Sequence, residues 1–209
     1  MQKNHLAGAE VQIDPLEERR PAPGDAGPLV LGVALVWFVA FYVLLAAGAV
    51  LVSLQHASLD ALGLLAGLDA GVYAAGLAVP LVVLLNWLVA GLVLHVAISL
   101  GGGDAGYVDT LAVVGWSTPA TLLAALVTGL GFLLSLWGNP VPMGYGAKLV
   151  SVGPGIAVAA VVAGLLSLVW QGYCWPPGLR RVHDVDGGAA GKATAATVLI
   201  GALGLLFSL

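Results

Sequence analysis

In this 209-residue chain, Asp104, Asp109, His183, Asp184 and Asp186 form the one set of side chains whose types suit a metal ion. Carboxylates and imidazoles bind hard or borderline divalent cations. A head-group transferase or an intramembrane hydrolase needs its acids or its nucleophile on helices at defined spacing, whereas these lie in glycine-rich turns such as Gly187-Gly188. They read as solvated loop acids, so no catalytic residue, metal site or cofactor is expected. Gly101-Gly102-Gly103-Asp104-Ala105-Gly106 is not a phosphate loop, because it follows an apolar helical run rather than a strand and lacks the lysine. It reads instead as a tight reversal built on residues that reach positive φ. The single cysteine, Cys174, can form neither an intrachain disulfide nor a cysteine zinc site. His95 reads as a histidine near the lipid headgroups, bonded to a carbonyl or water. Asn86 reads as a hydrogen-bonding contact between helices, since an amide in lipid must find a partner.

The elements that position these residues follow from composition. Apolar residues make up 60% of the chain and charged ones 9%, against about 45–50% and about 25% in a soluble domain. The expected class is all-α: a polytopic membrane protein with five transmembrane helices behind a short disordered tail at 1–28. The spans fall at about 29–54, 72–100, 108–136, 154–173 and 189–209, and together form one membrane domain over 29–209. Pro119 inside the third predicts a kink. Gln55 to Gly71 suits a short surface helix. Seven Lys+Arg against eleven Asp+Glu leave no basic field for nucleic acid.

Counting basic residues orients the bundle. With the N-terminus inside, the inner segments hold Lys3, Arg19, Arg20, Arg180, Arg181 and Lys192, and the outer ones Lys148 alone. The tail and the loops 101–107 and 174–188 then face the cytoplasm, and Leu209 the outside of a cell membrane. Trp137 and Tyr145 bracket the outer loop, and Trp170, Tyr173 and Trp175 mark the inner exit of span four. Small-residue stripes at Gly155, Ala159, Ala163 and Ser167 and at Ala189, Ala193, Thr197 and Gly201 are the candidates for contact between the last two spans. Asp109, in the first turn of span three, favours the helix dipole more than Asp104 does.

Tyr107-Val108-Asp109-Thr110-Leu111 followed by Gly115-Trp116-Ser117-Thr118-Pro119, and later Gly178-Leu179-Arg180-Arg181-Val182-His183, resemble the third span and closing segment of the YIP family, over about residues 72 to 209. These are five-span membrane proteins named for binding Ypt/Rab-type small GTPases, and the closing segment is similar to the prokaryotic branch; the acidic tail and scarcity of lysine suit a salt-adapted archaeal member. The chain departs from the eukaryotic pattern in its short tail and its lack of an Asp-Leu-Tyr-Gly-Pro element. The spans hold no fixed charge, which argues against an ion-coupled pump. The function expected is therefore a non-enzymatic membrane organiser or adaptor in the bilayer, presenting its tail and loops to a cytoplasmic protein partner. A small GTPase is a partner only by the resemblance, and a second copy of the chain is an open alternative. The partner-facing or structural residues are Gly101, Gly102, Gly103, Asp104, Tyr107, Asp109, Pro119, Arg180, Arg181 and His183. The competing reading is a passive small-solute or lipid permease, with Pro80 and Pro119 breaking two helices to line a path.

Overall fold

Long charge-free runs leave the backbone only one way to satisfy its polar groups in lipid, by hydrogen bonding within each helix. The computed structural model describes residues 23–55, 60–137 and 145–207, and nearly all of them are helical. In chain order the helices are α1 (Pro23–Gln55), α2 (Ala61–Ala66), α3 (Ala70–Leu100), α4 (Tyr107–Ser117), α5 (Thr121–Trp137), α6 (Tyr145–His183) and α7 (Gly187–Leu206). A single 3-10 turn at Thr118–Ala120 joins α4 to α5, so the third crossing changes pitch at Pro119. Among the described residues five crossings are long and apolar enough to span a membrane, with α4 and α5 acting as one. Asp60 caps the short α2 by accepting from the Gly63 amide.

The charges sort to the two ends of the bundle. Asp25, Asp104, Asp109, Arg180, Arg181, Asp184, Asp186 and Lys192 lie toward one end, and Asp60 and Asp69 at the other. Helices pass one another wherever a glycine admits a neighbour's side chain. Leu44 of α1 packs on Gly129 of α5, Leu111 of α4 on Gly91 of α3, and Val113 of α4 on Gly178 of α6. The largest buried cluster sits toward the Asp104 end: Leu94 and Ile98 of α3, Val113 and Val114 of α4, Trp175 and Leu179 of α6, and Ala190 and Ala193 of α7. Lipid tails are as apolar as these side chains, so the cluster holds by close van der Waals packing and not by removal from water. A second cluster of Leu45, Ala49, Val52, Leu68 and Leu136 closes the Asp60 end.

Several boundaries differ from the sequence reading. α1 begins at Pro23, so residues 23–28 are helix rather than tail, and residues 1–22 lie outside the described residues. α6 does not stop at Tyr173 but continues through Pro176 and Pro177 to His183, 39 residues in all. At about 1.5 Å per residue it far exceeds a hydrocarbon core of about 30 Å. Its final turns hold because Trp175 and Leu179 are anchored in the cluster, 1% and 0% exposed. The loop expected at 174–188 shrinks to residues 184–186, with Arg180 and Arg181 on the last turn of α6 and Gly187 and Gly188 on the first turn of α7. Trp175 is thus a core residue and not part of the interfacial belt, whereas Trp170 and Tyr173 are exposed. The small-residue stripes serve the expected contact between the last two spans only in part, through Gly201. Gly155 and Ala159 face Ser135 and Gly131 of α5, Ala189 lies against Gly101, and α6 meets α7 through Leu205 on Gly164, Leu168 on Gly201 and Val198 on Gly172.

Candidate site at the Asp104 end of the bundle

The turn between α3 and α4 is set by three backbone bonds. The amides of Gly101 and Gly103 both donate to the Ile98 carbonyl, at 3.0 Å each, and that of Gly102 donates to Ser99 at 3.1 Å. Only Gly102 takes a positive φ, 94°. Gly103 is required for a different reason: a Cβ there would stand 2.8 Å from Nδ1 of His183. Asp109 reaches back from the first turn of α4 and accepts from the Gly106 amide at 3.2 Å. Asp104 is exposed and makes no hydrogen bond among the described residues.

This tight turn brings together three side chains from three helices. Thr110 of α4 is fully buried, and its Oγ1 lies 2.8 Å from Nε2 of His183 on α6 and 3.2 Å from Nδ1 of His95 on α3. A hydroxyl has one proton to give, so with both rings neutral one nitrogen donates to Thr110 while the other accepts from it. His183 is 1% exposed, and its Nδ1 has no partner. The His95 ring packs edge-on against Tyr107, and the two imidazole centroids are 6.1 Å apart. Tyr107 donates its hydroxyl proton to the Leu88 carbonyl at 2.9 Å, and Trp87 donates to Leu111 at the same distance. Deeper, Trp175 donates to Ser117 Oγ at 2.9 Å, tying α6 to α4.

Of the residues singled out in the sequence, the structure gathers Gly101, Gly102, Gly103, Asp104, Tyr107, Asp109 and His183 around this turn. Arg180 and Arg181 project, exposed, from the last turn of α6. Pro119 lies apart, in the 3-10 turn. Asp184, at φ 49°, and Asp186 shape the link to α7; Asp186 caps that helix by accepting from Ala189 at 2.7 Å. The amides of Ala189 and Gly188 hold its carboxyl below the usual carboxylate range, and Lys192 and Arg180 act in the same direction. The acids do not converge: among the described residues no three His, Cys, Asp or Glu side chains are grouped to hold a metal.

Two further residues fall elsewhere than expected. His95 contacts a side-chain hydroxyl through Nδ1, where a carbonyl or water partner was expected, and it shares that hydroxyl with a second histidine. Asn86 does not tie helices together: it is exposed and makes no hydrogen bond among the described residues. The buried side of α3 carries Gly76, Gly91, Leu94 and Ile98, and Asn86 falls outside it, next to Trp87, which bonds within the first turns of α4. Sequence reasoning missed the roles of Thr110 and His95, although both stand near helix ends that the topology brings to one face. α3 runs unbroken through Pro80, and neither Asn86 nor Pro119 lines the crevice found between α3 and α5.

A family model for the Yip1 domain matches residues 16–209. No curated protein and no solved structure matches the chain significantly.

Proposed function

Because the chain belongs to the Yip1-domain family of multi-pass membrane proteins, we propose that it is a non-enzymatic organiser or adaptor whose Asp104 end faces the cytoplasm and docks a soluble protein. The observation that carries this reading is the construction of that end. Four helix termini are fastened by one buried cluster and by the His95–Thr110–His183 contacts, while Arg180, Arg181, Asp104, Asp184 and Lys192 remain exposed above them. A pre-ordered charged platform binds without first losing loop entropy. The links on this face are short, residues 101–106 and 184–186, so the helix ends themselves would form the docking surface. Among the described residues the charged side chains gather toward the two ends, which fits a scaffold better than an ion-coupled transporter.

The family resemblance makes a small GTPase one partner to look for, and residues 1–22 would add acidic and basic groups on the same side. The test is a photo-reactive amino acid placed at Arg181 or, as a lipid-facing control, at Leu77, in native membranes. Reproducible capture of one protein from Arg181 and not from Leu77, lost on Arg180→Glu with Asp184→Arg, supports the adaptor. Capture of lipid alone from both positions refutes it.

A further inference from the structure

Between α3 and α5, with α1 behind them, lies a crevice of about 730 Å³. Trp37 and Leu44 of α1 form its floor, Ala78 of α3 and Ala125 of α5 its walls, and Ile156 of α6 closes one end. On the α3 side its lining runs from Gly71 to Val83, about 18 Å at the helical rise. It opens sideways: Val82 is 61% exposed at its edge, at a height where the surrounding medium of a spanning helix is lipid. The Trp37 indole N–H is already committed to Thr121 Oγ1 at 3.3 Å. Thr128 is the one lining side chain with a polar group outside such a bond.

We infer that this crevice is a binding site for one lipid hydrocarbon chain, which enters laterally from the bilayer and lies between α3 and α5. Its volume falls within the range of apolar ligand sites, about 300–1,000 Å³; a helix of a second copy is the rival occupant that the disulfide test below reveals. Chemistry excludes a polar solute, which would give up its hydration and find a single hydroxyl in return. The chain's own tail is excluded by its charges, Glu10, Asp14, Glu17, Glu18, Arg19 and Arg20. Length selects a single lipid tail, because one leaflet of a hydrocarbon core of about 30 Å is about 15 Å deep. Small residues, Ala75, Ala78 and Ala125 among them, keep the slot open. Recognition rests on shape and apolar contact, so the site selects for a chain and is indifferent to the headgroup.

The experiment is native mass spectrometry of the full chain, purified in detergent and stripped of loosely held lipid. One retained lipid per chain is expected, with mixed headgroups. Ala78→Phe and Ala125→Phe fill the slot and should each abolish retention, while Leu166→Phe, on an exposed face of α6, should keep it. A second measurement does not depend on those variants folding: a phospholipid with a photo-reactive group at mid-chain, reconstituted with the unaltered protein. Labels concentrated on residues 71–83 and 125–132 support the site. Labels spread evenly over the exposed helices overturn it, as does retained lipid in both slot-filling variants. In a Cys174→Ser background, an Ala78→Cys variant that forms disulfide-linked pairs in the membrane would show a second copy at the slot, and would also overturn it.

Discussion

Replacing Thr110 by valine isolates the contact that joins three helices at the Asp104 end. Valine has nearly the shape of threonine, so the backbone and cavity stay as they are and only the hydroxyl is lost. Thr110 is 0% exposed and His183 1%, so no water replaces it. The His183 ring then loses the single bond it has, at 2.8 Å to Nε2, and both its nitrogens are buried without a partner. A buried polar group left unsatisfied costs about 1–3 kcal/mol, and the half-buried His95 adds less because its ring can reach solvent. The expected destabilisation is therefore about 1–3 kcal/mol. It is measured by reversible unfolding in mixed detergent micelles, followed through tryptophan emission, with Trp175 in the adjoining cluster as a built-in reporter. The variant His183→Leu completes a double-mutant cycle. If the two residues act through this bond, the double variant loses less than the sum of the single losses. Additivity within about 0.5 kcal/mol, or a Thr110→Val protein as stable as its parent, refutes the reasoning.

Two further outcomes are expected. Gly103→Ala should cost about 1–3 kcal/mol, because the new Cβ meets His183 Nδ1 at 2.8 Å and the Ile98 carbonyl at 3.1 Å, whereas Asp104→Asn should leave unfolding unchanged; equal behaviour of the two would show that the turn is loose. Asp186 carries a carboxyl whose folded pKa is depressed, so its stabilisation is present above the ordinary carboxylate pKa of about 3.9 and is lost as pH falls through the lower folded value. The melting temperature of the parent should accordingly fall more steeply from pH 5 to pH 3 than that of Asp186→Asn, and parallel curves would contradict the cap.

Five crossings were legible because charge is so costly in lipid that uncharged runs such as 72–100 stand out against Asp69 and Asp104 on either side. The break in α-helical pitch at Pro119 was legible from the missing amide of proline. The end of α6 was not. Pro176-Pro177 and the aromatic residues before them imitate an exit from the membrane, yet the helix continues because tertiary packing of Trp175 and Leu179 outweighs the two missing amide donors. The histidine pair was hidden for a related reason. His95, Thr110 and His183 meet only when three helices are in register, with Leu111 seated on Gly91 and Val113 on Gly178, and neither spacing nor composition encodes that register. Trp175 failed as an interfacial marker on the same ground, since one face of a helix end can be core while the next, at Tyr173, is exposed.

The proposal that the Asp104 end is the cytoplasmic platform stands or falls on the side of the membrane it occupies. In a Cys174→Ser background, single cysteines at Asp60 and at Asp184, both exposed, are treated with a membrane-impermeant thiol reagent on intact cells and on inverted vesicles. The account predicts that Asp60→Cys reacts in intact cells and Asp184→Cys only in inverted vesicles. Reaction of Asp184→Cys from outside intact cells would contradict it.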